Sequence, residues 1–333
     1  MSGKKEKAGR NRTLSVTPNE KTFLEPLIHS LDKLKNGFER DVVVNADLLD
    51  CLDYIPNNSF DLIIIDPPYN LDKNFHGKKF SSMSNVDYED YLRSWFTSVC
   101  DKLKNNGSLY MCGDWKCSSA MQRVIEEKLT IINRITWQRE KGRGALKNWK
   151  NGMEDIWFAV KNPKDYYFDI SSVMMKRKVI APYKVDGKPK DWEESEKGNF
   201  RMTYPSNFWD DISIPFWSMP ENTDHPTQKP EKLYAKIILA SSKSGDFIFD
   251  PFLGSGTAAV VAHKLGRKYF GVEINHEYCC WAIKRLMNSD TDPSIQGYFD
   301  GVFWERNTLN DQKKSVKKRN KKDVQLLNFE ELI

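Results

Sequence analysis

The 333-residue sequence predicts an α/β fold, in which crossover helices join the strands of a sheet. Three observations carry this. From Val42 onward, strand-like and helix-like stretches alternate. Leu62-Ile63-Ile64-Ile65, entered through Asp61, is a short apolar run closed by Asp66-Pro67-Pro68. That pattern suits a parallel strand buried on both faces and ending at its C-terminal edge. Near the other end, Asp246 to Asp250 reads as a strand that runs through Gly254 and Gly256 straight into a helix.

The elements follow in order. Asp87 to Leu103 reads as a helix, ended near Asn105-Asn106-Gly107, and Ser108 to Met111 as a strand. Ser118 to Leu129 is a helix; Ile131 to Trp137 and Asp155 to Val160 are strand candidates. From about Arg139 to Thr223 the chain is rich in Lys, Arg, Trp, Tyr and Pro, with weak periodicity. It is too long for an ordinary loop and reads as carrying an insertion. Regular structure resumes with a helix from Pro230 to Ser241, the strand Asp246 to Asp250 and a helix from Thr257 to Leu265. A strand from Lys268 to Glu273 and a helix from Glu277 to Met287 follow.

The apolar fraction of 39% and aromatic content of 12% belong to a globular protein able to bury a substantial core. No apolar run approaches the roughly 20 residues that span a bilayer. No apolar stretch follows the basic N-terminus, so no signal peptide and a cytoplasmic location are expected. The six cysteines form no C-x-x-C pair, and no His cluster has zinc-ligand spacing, so reduced buried thiols and no metal site are expected. The net charge of +5 is uneven: residues 1–22 carry +4 and residues 301–333 carry +3, which leaves the middle at −2. Such tails attract a polyanion by counterion release, or serve as solubilising segments.

The strand–turn–helix at Asp250-Pro251-Phe252-Leu253-Gly254-Ser255-Gly256-Thr257 suits a ligand site, since glycines admit close backbone approach and a helix N-terminus offers free N–H groups. A tight turn with no ligand would read the same way. Two acids sharpen it. Asp250 ends one strand and Glu273 the next, where a nucleoside ribose presents its hydroxyls. The third glycine of the dinucleotide fingerprint is missing, so a ligand without phosphates is favoured. S-adenosylmethionine (AdoMet) fits, with its ribose at Glu273 and its methionine part near Asp250 and the turn.

Asp66-Pro67-Pro68-Tyr69 suits methylation of an exocyclic amine. The nitrogen lone pair of such an amine is delocalised into its ring. Two acceptors at the amino hydrogens, the Asp66 carboxylate and the Pro67 carbonyl, would aim it at a methyl donor. The prolines stiffen the segment, and Tyr69 offers a face on which a flipped base can stack.

Asp66-Pro67-Pro68-Tyr69-Asn70, His225-Pro226-Thr227-Gln228-Lys229-Pro230 and Asp250 to Thr257, in that order, resemble the beta-class DNA amino-methyltransferases, largely of bacterial restriction–modification systems. The resemblance spans about Asn45 to Met287. It implies a Rossmann-like, circularly permuted AdoMet-dependent methyltransferase fold: a mixed sheet flanked by helices, with a target-recognition insertion. It implies that Asp47 contacts the AdoMet adenine. It also implies that Thr227 and Lys229 border the methionine end, and that Phe252, Gly254, Ser255, Gly256 and Thr257 join Asp66, Asp250 and Glu273 at the cofactor. Aspartate at the first catalytic position favours adenine N6 over cytosine N4.

Five regions are expected: a basic tail (1–22), a catalytic half (23–138), a target-recognition region (139–223), an AdoMet-binding half (224–300) and a second basic tail (301–333). Arg139, Lys141, Arg143, Lys147 and Lys150, around Gly142 and Gly144, form a candidate DNA-contacting loop. Trp149, Trp192, Trp209 and Trp217 are expected to be packing residues, and residues 71–86 a loop closing over a flipped base. The expected partner is double-stranded DNA, with a separately acting cognate endonuclease, and the expected state a monomer or homodimer. A cytosine-N4 or RNA target and a non-catalytic nucleic-acid binder remain the alternatives.

Overall fold

The apolar run after Asp61 is the middle strand of a nine-stranded sheet. A computed structural model describes residues 9–75, 78–139, 146–179, 184–186, 188–189, 192, 199–306 and 308. Its main sheet comprises β1 (His29–Ser30), β2 (Val42–Asn45), β3 (Phe60–Ile65), β4 (Leu103–Gly113), β5 (Thr130–Gln138), β6 (Met153–Val160), β7 (Phe208–Trp209), β8 (Phe247–Asp250) and β9 (Lys268–Glu273). The spatial order is β1-β2-β9-β8-β3-β4-β6-β5-β7. Neighbours pair in parallel except where β6 runs antiparallel to both β4 and β5.

The helices are α1 (Pro18–Leu24), α2 (Leu31–Asn36), α3 (Leu48–Leu52), α4 (Asn85–Lys102), α5 (Ser118–Glu126), α6 (Glu231–Ser241), α7 (Thr257–Lys264) and α8 (His276–Thr291). Alternation along β3 assigns its side chains to two cores. Leu62 and Ile64 face α6, α7 and α8; Ile63 and Ile65 face α3, α4 and α5. All four are fully buried, each contributing about 1.5–3 kcal/mol of apolar stabilisation. Among the described residues, no helix is long and apolar enough to cross a membrane. All six cysteines are buried.

Chain order reverses between β3 and β8. From β3 the sheet grows toward β4, and from β8 toward β9, so the crevice at their C-terminal ends is a topological switch point, where open α/β sheets bind ligands. Asp66 and Asp250 stand at those two ends.

The elements expected from sequence are all present, with ends shifted by a few residues, and the expected regions share sheets. β2 pairs with β9 (Val44 opposite Val272, Asn45 opposite Glu273), so residues of the expected catalytic half complete the other half's sheet. β6, placed within the 139–223 region, is an interior strand of the main sheet. A second sheet joins Phe200–Thr203, Met175–Lys178, Val302–Trp304 and Tyr298–Phe299, with Phe303 and Trp304 buried, so part of the expected C-terminal tail is core. The basic cluster from Lys313 to Lys322 lies outside the described residues.

The expected N-terminal tail is docked from Arg12 on. Leu14 is buried, and its N–H donates to the Asn222 carbonyl at 2.8 Å. Thr17 and Glu20 then form a capping box at the start of α1. The segment before α6 is anchored from within: Asp211 takes ion pairs from Lys232 and Lys236, each at 2.6 Å and all three buried.

Gly256 shows how the turn after β8 is built. It sits at φ +84° as the N-cap of α7, and a Cβ there would lie 2.6 Å from the Ala282 Cβ. Gly256→Ala therefore adds a left-handed backbone penalty to an overpacking cost, together about 2–5 kcal/mol. Urea denaturation should show that loss, and a change within about 0.5 kcal/mol, ordinary for a surface site, would contradict the packing described.

Candidate active site

At the switch point lies a cavity of about 250 Å³. Its walls include three stretches distant in sequence: Asp66 to Tyr69 after β3, the segment of His225, Thr227 and Lys229 before α6, and Phe252 to Ser255 with Thr257 after β8, facing Glu273 at the end of β9. The three motifs read from sequence therefore meet in one place.

Asp66 leaves the end of β3 with its side chain 15% exposed. Both of its carboxylate oxygens accept from the Lys229 ammonium at 2.7 Å. Burial raises the Asp66 carboxyl above its ordinary range, opposed by Lys229. Lys229 is itself only 4% exposed. Burial works against its charge, but the Asp66 and Glu154 carboxylates hold it protonated and raise it. The ammonium also reaches the Tyr69 hydroxyl at 3.0 Å and lies 5.1 Å from the centre of that ring.

Tyr69 faces two carboxylates. Its hydroxyl lies 2.9 Å from Asp66 Oδ1 and 3.1 Å from Glu154 Oε2, and its single proton serves one at a time. Glu154, on β6, has a side chain 5% exposed, lies 3.4 Å from the Lys229 ammonium and ion-pairs with Arg139. Arg139, expected on DNA, thus belongs to the polar cluster of the site, its side chain 36% exposed. Glu154 was missed from sequence. The available signal was an acid at the mouth of a strand otherwise buried along its length, a costly position unless paired.

The backbone around the motif is pinned. The Pro68 carbonyl accepts from the buried Tyr88 hydroxyl at 3.0 Å, and the Asn70 amide makes two bonds to the Met83 backbone, at 2.9 and 2.8 Å. The intervening segment carries a hairpin, Lys73–Phe75 against Lys78–Phe80, which brings Lys73, Lys79 and Phe80 to the cavity.

On the opposite wall, Glu273 is gripped by backbone N–H groups: Gly254 donates to Oε2 at 2.8 Å and Asn275 to Oε1 at 2.7 Å. Gly254, Ser255, Thr257, Phe252 and Thr227 all line the cavity. A Cβ on Gly254, at φ +55°, would come 3.1 Å from the His225 ring, which itself packs edge-on to Tyr278. His225 was not singled out from sequence.

Three expected cofactor residues do not line the cavity. Asp250 is 3% exposed, its carboxyl raised well above the ordinary range by burial, and it accepts the Phe252 N–H at 3.0 Å, so it shapes the turn. Gly256 packs on Ala282. Asp47 is exposed and caps α3 through the Leu49 N–H at 3.0 Å.

Beneath the turn lies a buried network that sequence reading also missed. Arg285 donates to the Ser255 carbonyl at 2.9 Å and the Thr257 hydroxyl at 3.0 Å, and pairs with Glu231 at 2.9 Å. Thr257 donates in turn to the Lys229 carbonyl at 3.2 Å. The glycine turn and the lysine that holds Asp66 are therefore joined through one hydroxyl.

Of the other expected DNA contacts, Lys147 and Lys150 are exposed, while Lys141 and Arg143 lie outside the described residues. Trp192 and Trp209 are buried, as expected of packing residues. Trp149, at 93% exposed, and Trp217, at 49%, are not packing residues, because the segments that carry them leave these rings outside the core.

Fold and site together define an α/β enzyme in which Asp66 precedes the glycine turn in the chain. Residues 60–284 match the family model described as DNA methylase, and the chain belongs to that family. It is 34% identical over 256 residues to the DNA adenine methyltransferase YhdJ of Escherichia coli, covering 75% of this chain and 84% of that one. It is 32% identical over 246 residues to the type II methyltransferase M.HpaI of Haemophilus parainfluenzae, covering 73% of each. Among solved structures, the cytosine-N4-specific PvuII DNA methyltransferase shares the fold with a TM-score of 0.56 at 20% identity, over 73% of this chain and 85% of that one. The M1.HpyAVI–SAM complex does so at 0.52 and 24%, over 73% and 98%.

Asp66→Ala removes the acceptor but leaves the Glu273 wall intact. The expected result is loss of methyl transfer by about 10³-fold, with AdoMet affinity by calorimetry little changed. A loss of affinity matching the loss of rate would make Asp66 a cofactor residue instead.

Proposed function

We propose that this chain transfers a methyl group from AdoMet to the N6 amino group of an adenine flipped out of double-stranded DNA. The role proposed is that of the modification enzyme of a restriction–modification system, in the cytoplasm, with a separately acting endonuclease. The observation that carries the reading is the common cavity: Asp66 and Tyr69 on one wall, Gly254, Ser255 and Glu273 on the other. The names of the relatives, adenine methyltransferase among them, support the choice of adenine.

The residues fit AdoMet. Glu273 lines the cavity with its carboxylate held by two N–H groups, a fixed acceptor for ribose hydroxyls, and Gly254 leaves the wall free of a side chain. When bound, AdoMet supplies an electrophilic methyl group on a sulfonium. The protein must hold the target nitrogen with its lone pair aimed at that methyl. Asp66 accepts one amino hydrogen and the Pro67 carbonyl the other. The buried site raises the strength of both bonds, since no water competes with them. The carboxyl's upward shift lets Asp66 take a proton from the amine once it is methylated.

For the duplex, the exposed stretch that carries Lys147 and Lys150 leads into Gly152, whose carbonyl accepts the Arg139 N–H at 2.7 Å. This puts a basic surface at the foot of the strand bearing Glu154, suited to phosphate contacts beside the site of base entry. Lys73, Lys79 and Phe80 of the hairpin also line the cavity.

The test is chemical. The protein is incubated with labelled AdoMet and unmethylated bacterial DNA, and the modified nucleoside is identified by mass spectrometry. N6-methyladenine is expected; N4-methylcytosine would move the target, and absence of label from any DNA would overturn the reading.

A further inference from the structure

Resting on the transfer reading above, we propose that Glu154 is a positioning residue for the methyl-transfer step: it shares the Lys229 ammonium and the Tyr69 hydroxyl with Asp66, and takes over both when the target amine engages Asp66. In the structure, Lys229 contacts both Asp66 oxygens at 2.7 Å and Tyr69 adds a third contact at 2.9 Å. The carboxylate that must receive the amine is thus already engaged by two donors. Both of them have a second carboxylate within reach: Glu154 lies 3.1 Å from the hydroxyl and 3.4 Å from the ammonium. Transfer of either bond needs only a small rotation of the donor group, with no change of backbone.

Charge supports the same role. Asp66 and Glu154 face the buried Lys229 ammonium, with Arg139 and Lys73 at the edge of the cluster. During transfer, positive charge moves onto the amine, toward the two carboxylates. Fixed negative charge placed where positive charge develops stabilises the transition state more than the ground state. With glutamine at 154, Lys229 would keep only Asp66 of its two carboxylate partners, and the cluster would lose one of those two negative charges.

The groups facing Glu154 set the sign of its effect on pH dependence. They are Arg139 from the end of β5, Asp66, Tyr69 and Lys73 from the segment after β3, Cys112 from β4, and Lys229 and Tyr234 from the α6 side. The negative charge of Glu154 raises the Asp66 carboxyl. Removing it lowers that carboxyl, so Asp66 stays ionised to lower pH.

The experiment compares the full-length wild type with Glu154→Gln and Glu154→Asp in single-turnover methyl transfer across the pH range, with AdoMet affinity measured by calorimetry. Glu154→Gln is expected to slow transfer by about 100-fold, leave AdoMet affinity within about threefold, and move the acid limb of the pH–rate profile to lower pH. Glu154→Asp should restore much of the rate and the wild-type acid limb; it keeps the question open to test if the glutamine variant does not fold. A rate loss with an unmoved acid limb, an equal loss of AdoMet affinity, or wild-type rates in both variants would overturn the proposal alone. No transfer by the wild type would instead overturn the reading on which it rests.

Discussion

One buried ammonium joins the parts of this protein. Lys229 comes from the segment before α6, Asp66 from the end of β3 and Glu154 from β6, and both carboxylates lie within 3.4 Å of the ammonium. None of the three is tolerable alone at that depth, because an unpaired buried charge costs several kcal/mol. The fold must therefore bring them together, and it does so at the one crevice where the strand order reverses. The position that suits ligand binding in an open α/β sheet is also the position where opposite charges converge.

The permuted chain order has a structural consequence. Because the strand before Asp66 precedes those around the glycine turn, β8 and β9 return to the sheet beside β3, and β2, from the start of the chain, pairs with β9, with β1 at the edge. The two functional halves share strands and are not separable pieces. The Thr257 hydroxyl makes that sharing local: it accepts from Arg285 beneath the glycine turn and donates to the Lys229 carbonyl, so the glycine turn and the Lys229 cluster bear on one another directly.

What was legible in the sequence was local. The apolar run of β3 and the proline stop after it placed Asp66 at a strand end, and the glycine spacing placed the turn before α7. What was not legible depends on contacts distant along the chain. The Arg139–Glu154 pair requires β5 and β6 to lie antiparallel in a register that sets Trp137 opposite Glu154, which no local pattern encodes. Arg285 sits on a helix whose spacing reads as ordinary, and only its burial against Ser255 and Glu231 reveals its part. Leu14 looked like part of a charged tail because its partner, Thr223, lies some 200 residues on. Trp149 failed in the opposite direction: composition suggested packing, yet the segment that carries it stays outside the core.

The fold is organised around the coupling between Lys229 and Asp66, and a double-mutant cycle on folding stability measures it. Lys229→Met alone should destabilise by about 3–5 kcal/mol, since it leaves the Asp66 carboxylate buried without its ammonium. Adding Asp66→Asn removes that charge and should recover part of the loss, with a coupling energy above about 1.5 kcal/mol. Two substitutions that add to within about 0.5 kcal/mol would contradict a fold organised around this ion pair.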